Sequence, residues 1–136
     1  MILNPNSDIT IYNTYYDEDD EDIKKYQKTI IRDVNWQQKT ESTVSDKGML
    51  IANSTLIFMN KLDNYISPKK FLKLSSDERK NYFTLAPGDR IVKGAVDFIV
   101  TGRNPYSITN LEDEFDEVVS ICTISKFSTH LEVRCN

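Results

Sequence analysis

The sequence predicts an all-β protein, built as a small antiparallel β-barrel or sandwich with a long N-terminal hairpin. Residues of high β-propensity fill two alternating segments within the first 36 residues, short apolar runs recur later in the chain, and helix-cap spacings occur in only two regions. About seven or eight short strands with one or two small helical insertions are typical of such folds. At 136 residues the chain fits a single domain, residues 1–136.

The N-terminal hairpin joins two strands across a strongly acidic tip. Residues 9–16 are rich in β-branched and aromatic side chains that alternate between two faces, and residues 26–36 repeat this pattern. The tip carries an unbroken run of six acidic residues: Asp17, Glu18, Asp19, Asp20, Glu21 and Asp22.

The middle of the chain changes from strand to helix signals. Residues 39–47 are polar and predict a loop, while the apolar runs at 49–52 and 55–59 predict a kinked strand or two strands joined tightly. Ser67 before Pro68, and Ser75 three residues before Glu78, are typical of helix starts. We therefore expect short helical turns near residues 67–82.

Residues 84–94 predict a strand, a tight turn and a second strand. Pro87 fixes φ for the turn, Gly88 permits a positive φ, and Asp89 can hydrogen-bond nearby backbone; Gly94 ends the segment. These residues are interpreted as structural. Beyond them we expect a strand at 96–101, a short helix at 109–116 from the Thr109 to Glu112 cap spacing, and a hairpin of 118–125 with 131–135.

The acidic run admits three interpretations. A solvated hairpin tip is the simplest, since six adjacent like charges repel one another. A docking surface for a basic partner is the second. A calcium site is the third, but the run lacks the glycine and the final glutamate of an EF-hand loop.

Charge, cysteine and histidine content argue against most other functions. Of 21 acidic residues the tip holds six, which leaves 15 against 17 basic ones, too even a balance for binding driven by phosphate neutralisation. Cys122 and Cys135 form no zinc spacing with His130, and across a hairpin they could be free thiols or a disulfide. His130 has no nucleophile motif beside it, and Asp89 with Lys93 is better explained by the turn. We expect no catalytic residue, no metal and no cofactor.

No apolar run approaches the roughly 20 residues of a transmembrane helix, and the N-terminus does not resemble a signal peptide. The sequence therefore predicts a soluble protein made in the cytosol, with no membrane partner.

Five segments in order resemble a family of small virion proteins of tailed phages that infect Gram-positive bacteria. They are ITIYN (9–13), DVNW (33–36), YISP (65–68), TLAPGDRIVKG (84–94) and HLEV (130–133). The resemblance spans essentially the whole chain. The chain departs from the family pattern in its longer acidic insertion and in Leu131, since in the family an aromatic residue often follows the histidine.

The resemblance implies a structural, non-enzymatic role in the virion neck at the head-to-tail junction. Head-closure, or stopper, proteins of this kind are small β-barrels that form a homo-oligomeric ring between the portal or adaptor and the tail-terminator protein, close to the packaged DNA. Such a protein is synthesised in the cytoplasm of the bacterial host. Tail completion, a tail-terminator role, or a monomeric β-barrel that binds a ligand, peptide or single-stranded nucleic acid remain alternatives.

Overall fold

The computed structural model describes residues 4–17, 20–45 and 48–136, with backbone alone for 17, 20–22, 40–45 and 48–53. These residues form six strands and three short helices. In chain order they are β1 (Ser7–Asp17), β2 (Asp20–Ser45), β3 (Gly48–Asn60), α1 (Pro68–Lys73), α2 (Ser76–Arg79), β4 (Arg90–Lys93), α3 (Ile108–Glu114), β5 (Val118–Lys126) and β6 (His130–Cys135).

The six strands close into an antiparallel barrel. Their order around it is β1-β2-β3-β6-β5-β4, and β4 pairs back onto β1. The predicted all-β barrel with a long N-terminal hairpin is therefore confirmed, in its barrel rather than its sandwich form. Fewer strands are present than the sequence predicted, because two predicted short strands merge into β3 and the segments at 84–86 and 96–101 are not strands.

The barrel interior is built from alternate residues of every wall. Ile9 and Ile11 of β1 are fully buried inside it, together with Trp36 of β2, Ile57 of β3 and Val133 of β6. Burying a side chain of this size contributes about 1.5–3 kcal/mol. The period-2 pattern that predicted β1 is therefore the pattern that fills the core.

A second apolar layer lies outside the barrel wall. Tyr12 and Val92 point outward from β1 and β4 and pack against Val100 and Leu111, both from the connection between β4 and β5. Phe98 and Phe115 join this layer, with their ring centroids 6.1 Å apart. The helix α3 thus covers the outer face of the barrel.

The strand β2 is long enough to serve two hairpins. It pairs with β1 up to Val34 and with β3 from Asn35 onward. Near the change of partner the register shifts, and Asp33 takes a φ of +58°. The Asp8 carboxylate accepts hydrogen bonds from the Asp33 backbone N–H (3.0 Å) and the Arg32 guanidinium (2.9 Å). These bonds lower the pKa of Asp8, and they fix the bend in the strand.

Four sequence predictions about strands were wrong. Residues 39–45 are not a loop but the end of β2, which pairs with an uninterrupted β3 across the predicted kink. Residues 84–86 form no strand beside β4, because β4 is flanked on both sides by β1 and β5. Residues 96–101 are not a strand either.

The 96–101 segment binds side chains instead of a neighbouring strand. The Thr10 hydroxyl accepts a hydrogen bond from the Val96 N–H (3.0 Å), and the Tyr12 hydroxyl donates one to the Phe98 carbonyl (2.6 Å). The Lys28 ammonium donates to the Val96 carbonyl (3.1 Å). Backbone groups that would need a sheet partner are satisfied in this way.

The helix starts follow the capping rules, with one correction. Ser67 is the N-cap residue of α1 and Pro68 follows it, although the Ser67 side chain makes no capping hydrogen bond. The Ser75 side chain accepts a hydrogen bond from the Glu78 N–H (3.3 Å). The predicted cap at Thr109 is wrong, since that residue lies inside α3. The capping box is formed instead by Ser107 and Asn110.

Candidate interaction surface

Two hairpin arms extend beyond the barrel. The first arm (residues 13–17 and 20–27) lies past the last β4 partner of β1, and the second arm (residues 39–45 and 48–54) lies before the first β6 partner of β3. Each arm is a ladder of two strands. At about 3.4 Å per residue the first projects roughly 17 Å and the second roughly 24 Å.

The acidic run forms the end of the first arm. Asp17 is the last residue of β1 and pairs with Asp20, the first residue of β2; Glu21 and Asp22 follow in β2. Glu18 and Asp19 lie outside the described residues, as do the side chains of the other four. The docking interpretation of the six acids therefore stays a prediction.

A helical cap, formed by α1 and α2, covers the base of the first arm. Its centre is Arg79, whose side chain is only 2% exposed. The guanidinium donates to the carbonyls of Phe71 (3.3 Å) and Leu74 (2.6 Å), and its carbon lies 4.5 Å from the ring centroid of Tyr15. Gln27 on the arm donates to the carbonyls of Arg79 and Tyr82. The cap and the arm base are thereby held together.

Arg79 carries a buried charge with no ion-pair partner among the described residues. Its Nη1 is also one of the buried atoms without a hydrogen-bond partner in that part of the chain. Two backbone carbonyls and the rings of Tyr15 and Phe71, the latter 5.6 Å away, compensate the charge. Sequence analysis missed this residue, because an arginine in the polar segment 75–80 is typical of a solvated helix face.

The predicted turn at 86–89 is present. The Asp89 N–H donates to the Ala86 carbonyl (3.1 Å), with Pro87 and Gly88 between them and Gly88 at a φ of +94°. This is the arrangement of a type II turn, which favours glycine at that position. Gly94, at a φ of +99°, donates its N–H to the Asp8 carbonyl (2.7 Å).

Asp89 does more than serve its own turn. Its carboxylate is buried and accepts hydrogen bonds from the Asn13 amide (2.9 Å) and the Thr14 hydroxyl (3.2 Å) of β1. Asn13 also donates to the Thr84 carbonyl (2.7 Å). Burial raises the pKa of Asp89, and these hydrogen bonds oppose the rise. Sequence analysis did not identify this network. Its signal is Asn13, a polar residue on the same inward face of β1 as Ile9 and Ile11.

Two of the grooves among the described residues contain candidate binding groups. One, of about 440 Å³, lies beside the first arm and is lined by Tyr15, Tyr26, Lys25 and Arg103 among others. The other, of about 710 Å³, lies between the end of β3 and the β5–β6 turn, where Asn60 and Tyr65 each present a buried oxygen without a hydrogen-bond partner.

The remaining candidate residues have structural contacts. His130 stacks on Phe127, with ring centroids 4.7 Å apart, and its Nε2 lies 3.3 Å from Glu132 Oε1. Lys93 forms an ion pair with Glu117 (3.4 Å). Cys122 and Cys135 are free thiols, and burial together with the neighbouring Cys122 raises the pKa of Cys135 to about 12.

Across the described residues, no group of three or more histidine, cysteine or acidic side chains is placed to hold a metal ion. In the same part of the chain no helix is long and apolar enough to cross a membrane.

Comparison with known proteins gives one match. No curated protein and no solved structure matches the chain. Residues 3–136 match the profile of a family of unknown function, DUF6751, and because the match covers almost the whole sequence, the chain belongs to that family.

Proposed function

We propose that this chain is a non-enzymatic structural subunit that assembles into a homo-oligomeric ring through its hairpin arms. The observation that carries the proposal is the second arm, a ladder of two strands over residues 39–45 and 48–54 that has no third strand among the described residues. Two-stranded hairpins are at best marginally stable in water on their own. An arm of this length therefore needs a neighbour.

The sequence of the second arm fits the same proposal. Its β3 strand carries four consecutive apolar residues, Met49, Leu50, Ile51 and Ala52, opposite the more polar β2 positions 41–44. Free strand edges on such an arm favour strand addition between subunits.

The resemblance to small phage virion proteins supports a position of this ring at the head-to-tail junction. There the subunit would act as a head-closure or neck connector, between the portal or adaptor on one side and the tail-terminator protein on the other. A closed barrel with two projecting arms suits that position, since the barrel is rigid and the arms reach neighbours. Tail completion fits the same architecture.

Light scattering after size exclusion tests the assembly. The wild-type chain should form a discrete oligomer, visible as rings by electron microscopy. Replacement of residues 39–54 by an Asn-Gly turn should keep the barrel's circular dichroism spectrum and yield monomers. The matched control places Asn-Gly at Ser128 and Thr129, in the β5–β6 turn, and should leave the oligomer intact. A wild-type chain that stays monomeric at every concentration would refute the proposal.

Placement in the virion has its own test. Deleting the coding sequence from a phage that carries it should yield DNA-filled heads and free tails that do not join. Normal infectious particles would contradict a role at the junction.

A second candidate function is a monomeric binding module. The groove beside the first arm favours it, because tyrosine rings and cationic side chains there suit stacking on a nucleobase. Fluorescence anisotropy with labelled single-stranded oligonucleotides would detect such binding, and Tyr26→Ala should weaken it.

A further inference from the structure

The helical cap presents an outer surface that the fold leaves uncovered. In α1, Phe71 points into the protein and is fully buried, while Leu72 beside it is 55% exposed. Lys69, Lys70 and Lys73 surround Leu72 and are exposed, and none has an ion-pair partner among the described residues. We call this surface, residues 69, 70, 72 and 73, the basic face.

The neighbouring α2 does not neutralise the basic face. Its Asp77 pairs with Lys80 at 3.8 Å, within the same short segment. Glu78 is exposed and is the one other acid of α2. The cap therefore combines an exposed leucine with a surplus of positive charge.

The connection between β4 and β5 carries the opposite combination. Segment 108–117, which includes α3, holds five acids and no basic residue. Glu112 and Glu117 pair with Arg90 (3.5 Å) and Lys93 (3.4 Å) of β4. Asp113, Glu114 and Asp116 remain exposed without a described ion-pair partner. The same connection exposes Ile99 (56%) and Tyr106 (50%). We call residues 99, 106, 113, 114 and 116 the acidic face.

The two faces lie on different sides of one subunit. The helical cap closes the end of the barrel next to the first arm, since Gln27 and Tyr15 contact it there. The helix α3 instead packs on the outer wall, over Tyr12 and Val92. A subunit cannot bring its own two faces together, but a second copy can supply the complement.

We infer that the basic face of one copy docks on the acidic face of the next. The two faces match in two respects: they carry opposite charges that lack ion-pair partners among the described residues, and each exposes apolar side chains. Contact between two different faces is head-to-tail, and when the rotation between copies closes it generates a ring. The inference rests on the proposed assembly and adds a second contact between its subunits, beside the one made by the hairpin arms.

Charge reversal tests the docking. The basic-face variant carries Lys69→Glu, Lys70→Glu and Lys73→Glu, and the acidic-face variant carries Asp113→Lys, Glu114→Lys and Asp116→Lys. Each alone opposes like charges across the contact and should weaken self-association by about tenfold or more at low salt. An equimolar mixture restores opposite charges at both contacts and should assemble. The chain with all six changes should assemble by itself.

The control reverses charge elsewhere. Lys126→Glu with Arg134→Glu changes exposed residues on the β5 and β6 walls and should leave association unaltered. Circular dichroism and melting of each variant establish that it folds, and recovery in the mixture is a readout that misfolded chains cannot give.

The outcomes separate this inference from the proposed function. A wild-type oligomer that neither reversal weakens would overturn the docking and leave the ring standing. A wild-type chain that never associates would overturn both. Loss of double-stranded DNA binding by the basic-face variant, with association unchanged, would overturn the docking and assign the lysines to nucleic acid.

Discussion

The strands β1, β2 and β3 belong both to the six-stranded barrel and to the two arms, but their pairing differs between these two regions. Within the barrel each strand has a partner on both sides and contributes buried residues such as Ile11, Trp36 and Ile57. Beyond the barrel, β1, β2 and β3 continue as pairs with one partner each. The arms are therefore extended structure that the barrel core does not stabilise directly.

The first arm differs from the second in how its base is supported. Asn13 and Thr14 are bound by Asp89, and Gln27 is bound to the helical cap. The second arm leaves the barrel at Gln38 and Thr55, whereas the helical cap contacts the first arm and α3 packs over Tyr12 and Val92. We therefore expect the second arm to depend more on a neighbouring subunit than the first.

Phe71→Ala should have the largest effect on the barrel. The ring is fully buried in the helical cap, so its loss removes apolar contacts and leaves a cavity, and the free energy of unfolding should fall by about 3–5 kcal/mol. Leu72→Ala is the matched control: that neighbour is half exposed and should cost far less. Chemical denaturation measures both. Equal losses would mean that the cap is not part of the core.

Gly88→Val should have an intermediate effect at the end of the barrel. A φ of +94° strains any residue with a Cβ, although no atom lies within 4 Å of the position where that Cβ would be. Strain of this kind costs about 1–3 kcal/mol. The control is Ser128→Val, which places the same side chain in an exposed turn. Unchanged melting of Gly88→Val would contradict the turn assignment.

The stability of the protein should depend on pH through Asp89, which binds Asn13 and Thr14 at the base of the first arm. Burial raises the pKa of this carboxyl above its ordinary value of 3.8. An acid whose pKa is higher in the folded state contributes stability that is fully present below the unfolded value and is lost as the pH rises through the folded value. The unfolding free energy of the wild type minus that of Asp89→Asn should therefore decrease from pH ~3 to pH ~7, because only the wild type loses this stability.

Asp8 opposes this trend in the wild-type protein, since its pKa is lowered. Because Asp8 is present in both chains, its titration cancels in the comparison. Asp8→Asn provides the control with the opposite sign. A difference that rises with pH for Asp89→Asn would show that the hydrogen bonds from Asn13 and Thr14 outweigh burial.

The sequence predicted what local rules determine. Alternation identified β1, and Ser67, Pro68 and Ser75 identified the helix starts. It failed where distant residues decide. Segment 96–101 has strand-like residues, but Thr10 and Tyr12, more than 80 positions away, bind its backbone.

The same limit applies to the candidate surfaces. In the sequence Arg79 is typical of a solvated arginine, but in the structure it is buried in the helical cap against Tyr15. The lysines of α1 and the acids of α3 are ordinary exposed charges in the sequence, and their complementarity depends on which faces the barrel leaves open. The acidic run was visible at once, but its partner is not a local property.

Replacing the acidic run should have the smallest effect on the barrel. Substitution of Asp17, Glu18, Asp19, Asp20, Glu21 and Asp22 by Ser and Gly should change the free energy of unfolding by no more than about 0.5 kcal/mol, since the run lies at the end of an arm. If the run docks a basic partner, the same variant should fail to complete particles in infection while it still folds. Normal infectious particles would contradict the docking interpretation. A large loss of stability would show that the first arm and the barrel unfold as one cooperative unit.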